Sequence, residues 1–487
     1  MDRRTFLRLS VATGAATVLP WYLWGSRSAL AAPAVLNTPL AIPPLLTGRS
    51  EGDQRVYDLT LQSGSREFFS GYQTPTIGIN GPFLGPVLRA RSGESVAFNV
   101  TNQLDEDSTL HWHGLRLPGE MDGGPHQVIA PGATWTPRFT IHQPASTQWF
   151  HSHAWHRTGS QVYKGLAGLF YIDDSLSESL NLPNEYGVDD IPLVLQDRSF
   201  NSDGSFRYVD NMHQRMSGML GDVTLVNGTV GAHLQAVRNR LRLRLLNGSN
   251  ARIYNLSFSD GRKFHQIATD GGLLAAPVTL SQLRLAPGER AELVVDIHSD
   301  DNVVLRHAPL RRRIPMMRPW VARSDAESFD ILGISGTANS PAGAGLPDRL
   351  VPGQELKPES ADATRRFVLN TRMMAGSTIN GRQIDLQRID HRVRLGDIEI
   401  WEFENRSPMP HPMHVHGVQF QIISRNRAPP PANERGLKDT VLVDADETVQ
   451  VIVKFDDPAD DRHPFMFHCH NLEHEDAGMM GQFVVTA

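Results

Sequence analysis

The stretch APGERAELVVDI, residues 286–297, combines a tight turn with a strictly alternating pattern. Its first three residues, APG, are typical of a turn. Every second position after the turn then carries an apolar side chain, at Ala291, Leu293, Val295 and Ile297. Successive side chains of a β-strand point to opposite faces, so this period of two predicts a strand with one face buried and one face in solvent.

Related turns occur at residues 130–133 (APGA) and 444–447 (DADE), each followed by a strand-like segment. The three turns begin at residues 130, 286 and 444, which are 156 and 158 residues apart. A second alternating segment precedes each turn, at residues 96–100, 241–245 and 398–403. A period of this length is that of a domain, and the sequence therefore predicts three copies of one domain.

The composition favours an all-β fold. Short alternating segments are separated by turns rich in the 41 glycines and 32 prolines, and no long helical period competes with them. We therefore expect antiparallel β-sandwiches. The predicted domains span residues 50–175, 190–335 and 364–487, with joins at 173–190 and at the Gly/Ala/Pro/Ser-rich segment 336–364, which we interpret as a linker.

The single cysteine of the 487-residue chain, Cys469, lies between His468 and His470. In an extended strand, His468 and His470 would share one face while Cys469 points to the other. One tripeptide can therefore contribute to two metal centres. A lone cysteine also excludes an internal disulfide, so stability must come from the core and from any bound metal.

The ligand types around Cys469 favour copper. A thiolate with two imidazoles and a weak thioether is the ligand set of a blue-copper site, whereas structural zinc usually requires closed tetrahedral sets such as two cysteines and two histidines. His474 follows Cys469 by five residues and Met479 by ten. The second imidazole must come from elsewhere in the chain, and His411 is the obvious donor.

Four His-x-His pairs supply eight further imidazoles, and each pair would aim both rings to one side of a strand. One such pair is weak evidence for a site, because a lone histidine is more often a core or surface residue. Eight imidazoles suit three metal ions better than one. The pairs are His111 and His113, His151 and His153, His414 and His416, and His468 and His470.

These motifs and their order resemble those of the multicopper oxidases of the laccase and cuprous-oxidase type. The resemblance implies three cupredoxin-like Greek-key domains and four copper ions: one type 1, one type 2 and two type 3. No ligand of the family is missing, which argues against a relative that has lost copper. By this resemblance the type 1 ligands are His411, Cys469, His474 and Met479, the type 2 ligands are His111 and His414, and the type 3 ligands are His113, His151, His153, His416, His468 and His470.

The 257 residues between His153 and His411 contain no His-x-His pair. We therefore interpret the middle domain as a spacer in chemical terms, and we expect the first and third domains to meet. In the family the three-copper cluster lies in that interface. Each of the two outer domains would supply four of the eight paired histidines.

The resemblance also implies a catalytic route. Cys469, covalently joined to His468 and His470, would connect the electron-accepting site to the cluster that reduces dioxygen. Asp122 and Glu475 match positions where family members carry carboxylates near the cluster, and we expect them to relay protons. The alternative is an ordinary turn aspartate and a solvated glutamate.

The reducing substrate is expected to be a phenol or an aromatic amine. Cuprous oxidases of the family often carry a methionine-rich insert and an acidic residue shortly before the first type 1 histidine, whereas this chain has only Met373-Met374 and reads Ser407-Pro408-Met409-Pro410 before His411. Oxidation of cuprous or other metal ions is the alternative activity, for which the methionines 212, 216 and 219 are candidate soft ligands. A periplasmic copper-binding protein without turnover is the alternative of another class.

The first 31 residues resemble a twin-arginine export signal. Arg3 and Arg4 precede an apolar segment at about residues 9–24 and a small-residue run with a cleavage site after Ala31. We therefore expect a periplasmic or extracellular protein that uses the twin-arginine machinery, an uncleaved membrane anchor being the alternative. The formal net charge of -6 and the absence of a lysine or arginine run predict no nucleic-acid partner.

Overall fold

The computed structural model describes residues 30, 35–309, 327–337, 345–353, 355–372, 376–456 and 459–487. The expected export signal, apart from Leu30, and the pair Met373-Met374 lie outside these residues. None of the helices in the described ranges has the length and apolar character needed to span a membrane. These helices are α1 (Thr158–Lys164), α2 (Ser175–Ser179), α3 (Met212–Ser217) and α4 (Leu472–Asp476), accompanied by 3-10 turns at Gly119–Met121, Pro358–Ser360 and Ala432–Glu434.

Most of the described chain forms strands, which fall into three successive groups. The first group is β1 (Thr38–Pro39), β2 (Leu45–Leu46), β3 (Arg49–Glu51), β4 (Gln54–Phe69), β5 (Tyr72–Ile79), β6 (Val87–Arg91), β7 (Ser95–Asn102), β8 (Thr134–Trp135), β9 (Arg138–Thr140), β10 (Ser146–His151) and β11 (Ala167–Asp173).

The second group is β12 (Asp190–Arg198), β13 (Val223–Val226), β14 (Thr229–Val230), β15 (Ala232–Ala236), β16 (Arg240–Asn247), β17 (Tyr254–Phe258), β18 (Phe264–Thr269), β19 (Gly272–Leu280), β20 (Leu283–Leu285), β21 (Arg290–Asp296), β22 (Asn302–His307) and β23 (Phe329–Gly336). The third group is β24 (Ala363–Arg372), β25 (Gly376–Ile379), β26 (His391–Arg394), β27 (Ile398–Asn405), β28 (His411–Val415), β29 (Phe420–Arg425), β30 (Thr440–Val443), β31 (Thr448–Lys454), β32 (Asp460–Cys469) and β33 (Met480–Thr486).

Each group builds two sheets, and the predicted all-β fold of three sandwiches is confirmed. The first domain holds the sheets β10-β11-β6-β2 and β3-β4-β7-β8, with β5 and β9 attached to the second of them. The middle domain holds β14-β13-β12-β16-β21-β18-β19 and β1-β15-β23-β22-β17-β20, so the N-terminal strand β1 belongs to the middle domain. The third domain holds β25-β24-β27-β31-β29 and β26-β33-β32-β28-β30.

Each domain contains parallel as well as antiparallel strand pairs, so the expectation of antiparallel sheets is wrong in part, and one parallel pair recurs at the same place in all three domains. The recurring pair is β4 with β7, β12 with β16 and β24 with β27. In a Greek key, a long connection places a strand beside one that does not precede it directly in the chain, and the recurring parallel pair has this arrangement in each domain. The alternating segments before the three turns form the second member of each pair, which confirms the threefold repeat.

The strand predicted from residues 286–297 forms as β21, but the prediction of a solvent face is wrong. Its apolar residues Ala291, Leu293 and Val295 lie in the core of the middle domain. Its polar residues Arg290 and Glu292 are equally buried, at 1% relative exposure each. The second face is covered because Glu292 accepts a hydrogen bond from Thr147 of β10 and Arg290 contacts Asp439 of the third domain.

The first and third domains share one continuous hydrophobic cluster. It runs from Trp112 and Phe170 of the first domain to Trp401, Phe467 and Cys469 of the third. Burial of a large apolar side chain contributes roughly 1.5–3 kcal/mol, so a shared core holds the two domains against each other firmly. The middle domain has its own core and meets the first domain through a separate cluster.

Candidate metal centres

Strand β32 brings the tripeptide 468–470 beside β28 of the same sheet. Cys469 pairs with Met413 and His468 pairs with His414 in antiparallel register. Cys469 is fully buried in the hydrophobic cluster shared by the outer domains. His468 and His470 lie with the other paired histidines, at 5.4 Å and 6.0 Å between ring centres from His414. The alternation expected from the sequence is therefore present.

A mononuclear group forms on the cysteine side of the strand. The Nδ1 atom of His411 lies 3.4 Å from Cys469 Sγ, and the Nδ1 atom of His474 lies 3.7 Å from it. Met479 is fully buried and is tied to both neighbours, because its N–H donates to the His474 carbonyl and its own carbonyl accepts from the Cys469 N–H. Three of the four residues expected for a blue-copper site therefore lie together. Main-chain hydrogen bonds connect the fourth, Met479, to two of them.

The two imidazoles of this group are held by hydrogen bonds at Nε2, the ring nitrogen that does not face Cys469. Ser407 Oγ lies 2.7 Å from His411 Nε2, and the Met216 carbonyl of helix α3 lies 2.8 Å from His474 Nε2. A partner on Nε2 leaves Nδ1 as the atom that faces the cysteine. Helix α3 belongs to the middle domain, so the outer edge of His474 is covered by that domain.

The eight paired histidines converge in one buried volume between the first and third domains. All are at most 1% exposed. They form three triads, in each of which one ring nitrogen per histidine lies within 4.8 Å of the other two. Each triad contains histidines of both domains. The triads are His111, His113 and His414; His113, His151 and His470; and His153, His416 and His468.

The third triad shows the geometry most clearly. The Nε2 atom of His468 lies 3.2 Å from Nε2 of His153 and 3.0 Å from Nε2 of His416. The Nδ1 atom of His416 donates outward to Asp122 Oδ2 at 2.8 Å. With Nδ1 protonated, the facing Nε2 atoms present lone pairs to one another, which repel unless a cation lies between them.

The first triad leads to the same conclusion. His111 Nδ1 donates to the Asp122 carbonyl and His414 Nδ1 donates to the Asp439 carbonyl, both at 2.9 Å. The Nε2 atoms of His111 and His414 have no hydrogen-bond partner although both are buried. Buried polar atoms are normally satisfied, so these orphaned acceptors fit a metal ion. The donor set therefore suits the copper implied by the sequence.

Asp122 and Glu475 lie at the cluster as expected, and neither is the surface group of the alternative interpretation. Both are 1% exposed. Glu475 lies 3.4 Å from Nδ1 of His153 and 3.2 Å from Nδ1 of His468. Burial raises the pKa of Glu475, although the neighbouring imidazole of His153 partly offsets this. A carboxyl group with a raised pKa beside the site can take up a proton more readily than an exposed one.

Burial also sets the charge state of the ligands. Desolvation lowers the pKa of His153 and His468 to about 3 and that of His414 and His474 to about 4. It raises the pKa of the Cys469 thiol. The imidazoles are therefore neutral donors in the copper-free protein, whereas the thiol must lose its proton when a metal binds.

The sequence analysis missed Asp439, which is fully buried beside two ligands. Its Oδ1 atom lies 3.0 Å from Nε2 of His113, while its carbonyl accepts from His414. Asp439 precedes β30, the strand that pairs His414 with Thr440. Only its position beside a ligand strand could have singled it out, because the residue belongs to no ligand motif.

Comparison with known proteins agrees with this geometry. Multicopper oxidase family models match residues 60–177 and 357–487. The multicopper oxidase mco of Staphylococcus haemolyticus is 38% identical over 434 residues, covering 88% of both chains. The chain belongs to the multicopper oxidase family.

This multicopper oxidase is also similar to a protein of another name and to a solved laccase-like structure. The cell division protein FtsP of Escherichia coli is 37% identical, covering 92% of this chain and 93% of FtsP. The laccase-like multicopper oxidase CueO of Ochrobactrum sp. has 38% identity and a TM-score of 0.84, covering 92% of this chain and all of that one. The fold is thus that of three cupredoxin-like domains, and the protein is a copper-dependent oxidoreductase that uses dioxygen.

The melting temperature of the copper-free oxidase should fall as the pH is lowered from about 7 to 5. Nine of the candidate ligand histidines have a pKa below the ordinary value of 6.5, because burial disfavours their charged form. In this window the unfolded chain binds protons that the folded chain excludes, so unfolding is favoured. Five carboxyl groups with raised pKa values, such as Asp476 at about 8, act in the opposite direction but are outnumbered. Calorimetry at pH 7, 6 and 5 measures the effect, and a constant or rising melting temperature would contradict it.

Proposed function

We propose that the protein is a laccase-like oxidase that takes single electrons from phenols or aromatic amines and reduces dioxygen to two waters. Four bound copper ions, one type 1, one type 2 and two type 3, would supply the electron transfer and the oxygen reduction. The observation that carries the proposal is the position of residues 468–470. Cys469 lies in the mononuclear group, while His468 and His470 lie in two different triads of the cluster.

The ligand assignment follows the groups of facing atoms. His411, Cys469, His474 and Met479 would form the type 1 site, and His111 and His414, with their orphaned Nε2 atoms, would form the type 2 site. The two triads that remain divide the type 3 ligands. One would be His113, His151 and His470, and the other would be His153, His416 and His468.

The chain's own residues provide the electron route. His474 Nε2 of the mononuclear group donates to the Met216 carbonyl of helix α3, whose side chains are all exposed or half-buried. Electrons would enter the mononuclear group at this contact. From Cys469 the main chain leads directly to His468 and His470. A route of covalent bonds between two buried sites needs no rearrangement of the protein.

Protons would reach the cluster through the two buried carboxyl groups. Asp122 Oδ2 accepts from Nδ1 of His416, and Glu475 faces His153 and His468 from the other side. Each carboxyl group can hold a proton next to an imidazole that would not readily release its own proton while it is bound to copper. This supports a proton-relay role for Asp122 and Glu475.

The neighbourhood of His411 supports an organic substrate. Ser407, which contacts His411 Nε2, lies in the segment where cuprous oxidases of the family often carry an acidic residue. Its hydroxyl is uncharged and would not attract a metal ion as a carboxylate would. The similar protein from Ochrobactrum acts on lignin model compounds and lignosulfonate, which are aromatic. We propose the same substrate class here, with export by the twin-arginine machinery to the periplasm or the exterior.

The test is oxygen uptake by copper-loaded protein with a phenol, an aromatic diamine, cuprous ion or ferrous ion. The phenol and the diamine should support the fastest uptake, with blue absorption that Cys469→Ser abolishes. Copper-free protein is the control and should consume no oxygen. A copper-loaded sample that is blue but consumes oxygen with none of the four substrates would instead support a copper-binding protein without turnover.

Replacing the carboxyl groups should separate oxygen reduction from electron entry. In Asp122→Asn and Glu475→Gln, turnover should fall by about 100-fold or more, the usual contribution of a positioned proton donor. The blue absorption should persist, because neither side chain contacts the mononuclear group. Steady-state oxygen uptake and the absorption spectrum measure the two effects.

The matched control is Glu120→Gln, in the same turn as Asp122 but exposed to solvent. It should keep wild-type turnover. Unchanged turnover in both Asp122→Asn and Glu475→Gln would contradict the proton relay.

Oxidation of soft metal ions is the second candidate activity, because helix α3, which contacts His474 through the Met216 carbonyl, carries methionines. Met212 is 71% exposed, and Met216 lies one helical turn further on, on the same face. Thioethers are ligands that cuprous ion prefers. Met219, by contrast, is buried at 1% and contacts Glu473 through its backbone.

If α3 binds cuprous ion, Met212→Leu combined with Met216→Leu should raise the KM for cuprous ion by about tenfold or more. Leucine keeps the side-chain volume and the helix propensity, so the KM for a phenol should not change. Met219→Leu is the control and should leave both values unaltered. Equal KM values for cuprous ion in the wild type and the double variant would remove α3 as a metal-binding surface.

A further inference from the structure

The middle domain supplies no ligand, yet one of its side chains reaches the cluster. We propose that Arg290 is a positioning residue: through Asp439 it holds His113 and His414 in the orientation in which they bind metal. The inference rests on the proposed copper cluster, and it assigns to the middle domain a role beyond that of a spacer.

Arg290 lies at the start of β21 with its side chain completely buried. Its Nη1 and Nη2 atoms donate to the two carboxylate oxygens of Asp439, at 2.7 Å and 2.5 Å. This two-pronged arrangement fixes the plane of the carboxylate as well as its position. A single-point donor such as lysine cannot do both.

The remaining donors of Arg290 hold the guanidinium in place. Nη2 also donates to Gln148 Oε1 at 2.5 Å, and Nε donates to the Thr147 carbonyl at 3.1 Å. Nη1 also donates to the carbonyl of Gly288 in its own turn. Thr147 and Gln148 belong to β10, the strand that ends at His151. Arg290 therefore connects ligand-bearing segments of the first and third domains from a position in the middle one.

Asp439 transmits this position to two ligands. Its Oδ1 atom accepts from Nε2 of His113 at 3.0 Å, which leaves Nδ1 of that ring to face Nε2 of His151 at 3.4 Å. Its carbonyl accepts from Nδ1 of His414, which leaves Nε2 of that ring as an acceptor. The rings of His113 and His414 stack at 3.6 Å with 10° between their planes. One aspartate thus selects opposite tautomers in two adjacent histidines.

The guanidinium is what allows Asp439 to act in this way. Asp439 is buried among neutral imidazoles, and a carboxylate without a counter-charge in such a volume is strongly disfavoured. Without Arg290, Asp439 would turn toward another donor or become protonated. In either case Nε2 of His113 would lose its carboxylate acceptor and keep only the Thr440 hydroxyl, at 3.2 Å, so the direction of its Nδ1 atom would be less fixed.

The turn before β21 adds a steric contact of the middle domain with the cluster. Gly288 has a φ of +81°, and a Cβ atom at this position would lie 2.8 Å from the ring of His470. The turn therefore packs its backbone directly on a ligand, where only glycine fits. Arg290 and Gly288 act on three of the eight ligands from one strand end.

The experiment compares Arg290→Gln and Arg290→Lys with Arg244→Lys after loading with copper. Arg244 is the matched control: it is buried on neighbouring strand β16 and contacts Asp190, Glu292 and Thr147, and within the described residues it contacts no candidate ligand and nothing in the third domain. Copper per chain, the blue absorption and the electron paramagnetic resonance of the type 2 ion are measured, together with the melting temperature.

Arg290→Gln should bind cluster copper about 10- to 100-fold more weakly, the usual effect of removing an outer partner of a metal ligand. Its resonance spectrum should show a lost or altered type 2 signal, with the blue absorption retained. Arg290→Lys should fall between the wild type and Arg290→Gln. Arg244→Lys should lower the melting temperature but keep all copper signals.

Wild-type copper content and type 2 signal in both Arg290 variants would overturn the inference while leaving the proposed oxidase intact. The same holds if Arg244→Lys disturbs the type 2 signal as much as Arg290→Lys, since the effect would then be one of domain stability. If Arg290→Gln misfolds and loses the blue absorption, the copper content and type 2 signal of Arg290→Lys decide whether the inference stands. Absence of copper from the wild type would remove the proposed function and the inference together.

Discussion

Eight neutral imidazoles share one buried volume, and most of their proton-bearing nitrogens have a fixed acceptor; within the described residues, His470 has a hydrogen-bond partner on neither nitrogen. Here those acceptors are main-chain carbonyls and buried carboxylates: the carbonyls of Asp122, Ser152 and Asp439 hold His111, His151 and His414. Desolvation removes the second proton by lowering the histidine pKa values. Unprotonated nitrogens then face inward, and the site is a set of lone pairs arranged around volumes that suit cations.

These acceptors belong to the first and third domains, which must therefore meet, and Arg290 of the middle domain holds one of them, Asp439. The polar face of β21 and β16 is buried with arginines and acids in close pairs, such as Arg242 with Glu292 and Arg244 with Asp190. Buried ion pairs bring little net stability, because desolvation costs about as much as attraction returns. Their value here is geometric: these pairs fix the register of β12, β16 and β21 within the middle domain, whereas the pair of Arg290 with Asp439 crosses to the third domain.

Much of the fold and most of the ligand set could be predicted because both rest on short-range rules. Alternation in residues 286–297 predicted a strand, and the spacing of 468–470 predicted that Cys469 and its neighbours would serve different sites. Both follow from the two-residue period of an extended chain. The same rule failed for the outer face of β21, because alternation shows only that two faces differ and not what covers the polar one.

The sequence by itself determined the all-β class, the threefold repeat and the candidate ligands, since each is encoded in local spacing and residue chemistry. Only the tertiary structure decided which ring nitrogens face one another and that Glu475 is buried rather than solvated. It also decided that Asp439 contacts His113 and that Arg290 contacts Asp439. These depend on contacts between residues far apart in the chain, 38 positions for His113 with His151, 149 for Arg290 with Asp439 and 315 for His153 with His468. Such contacts are selected by domain packing, which no local pattern records.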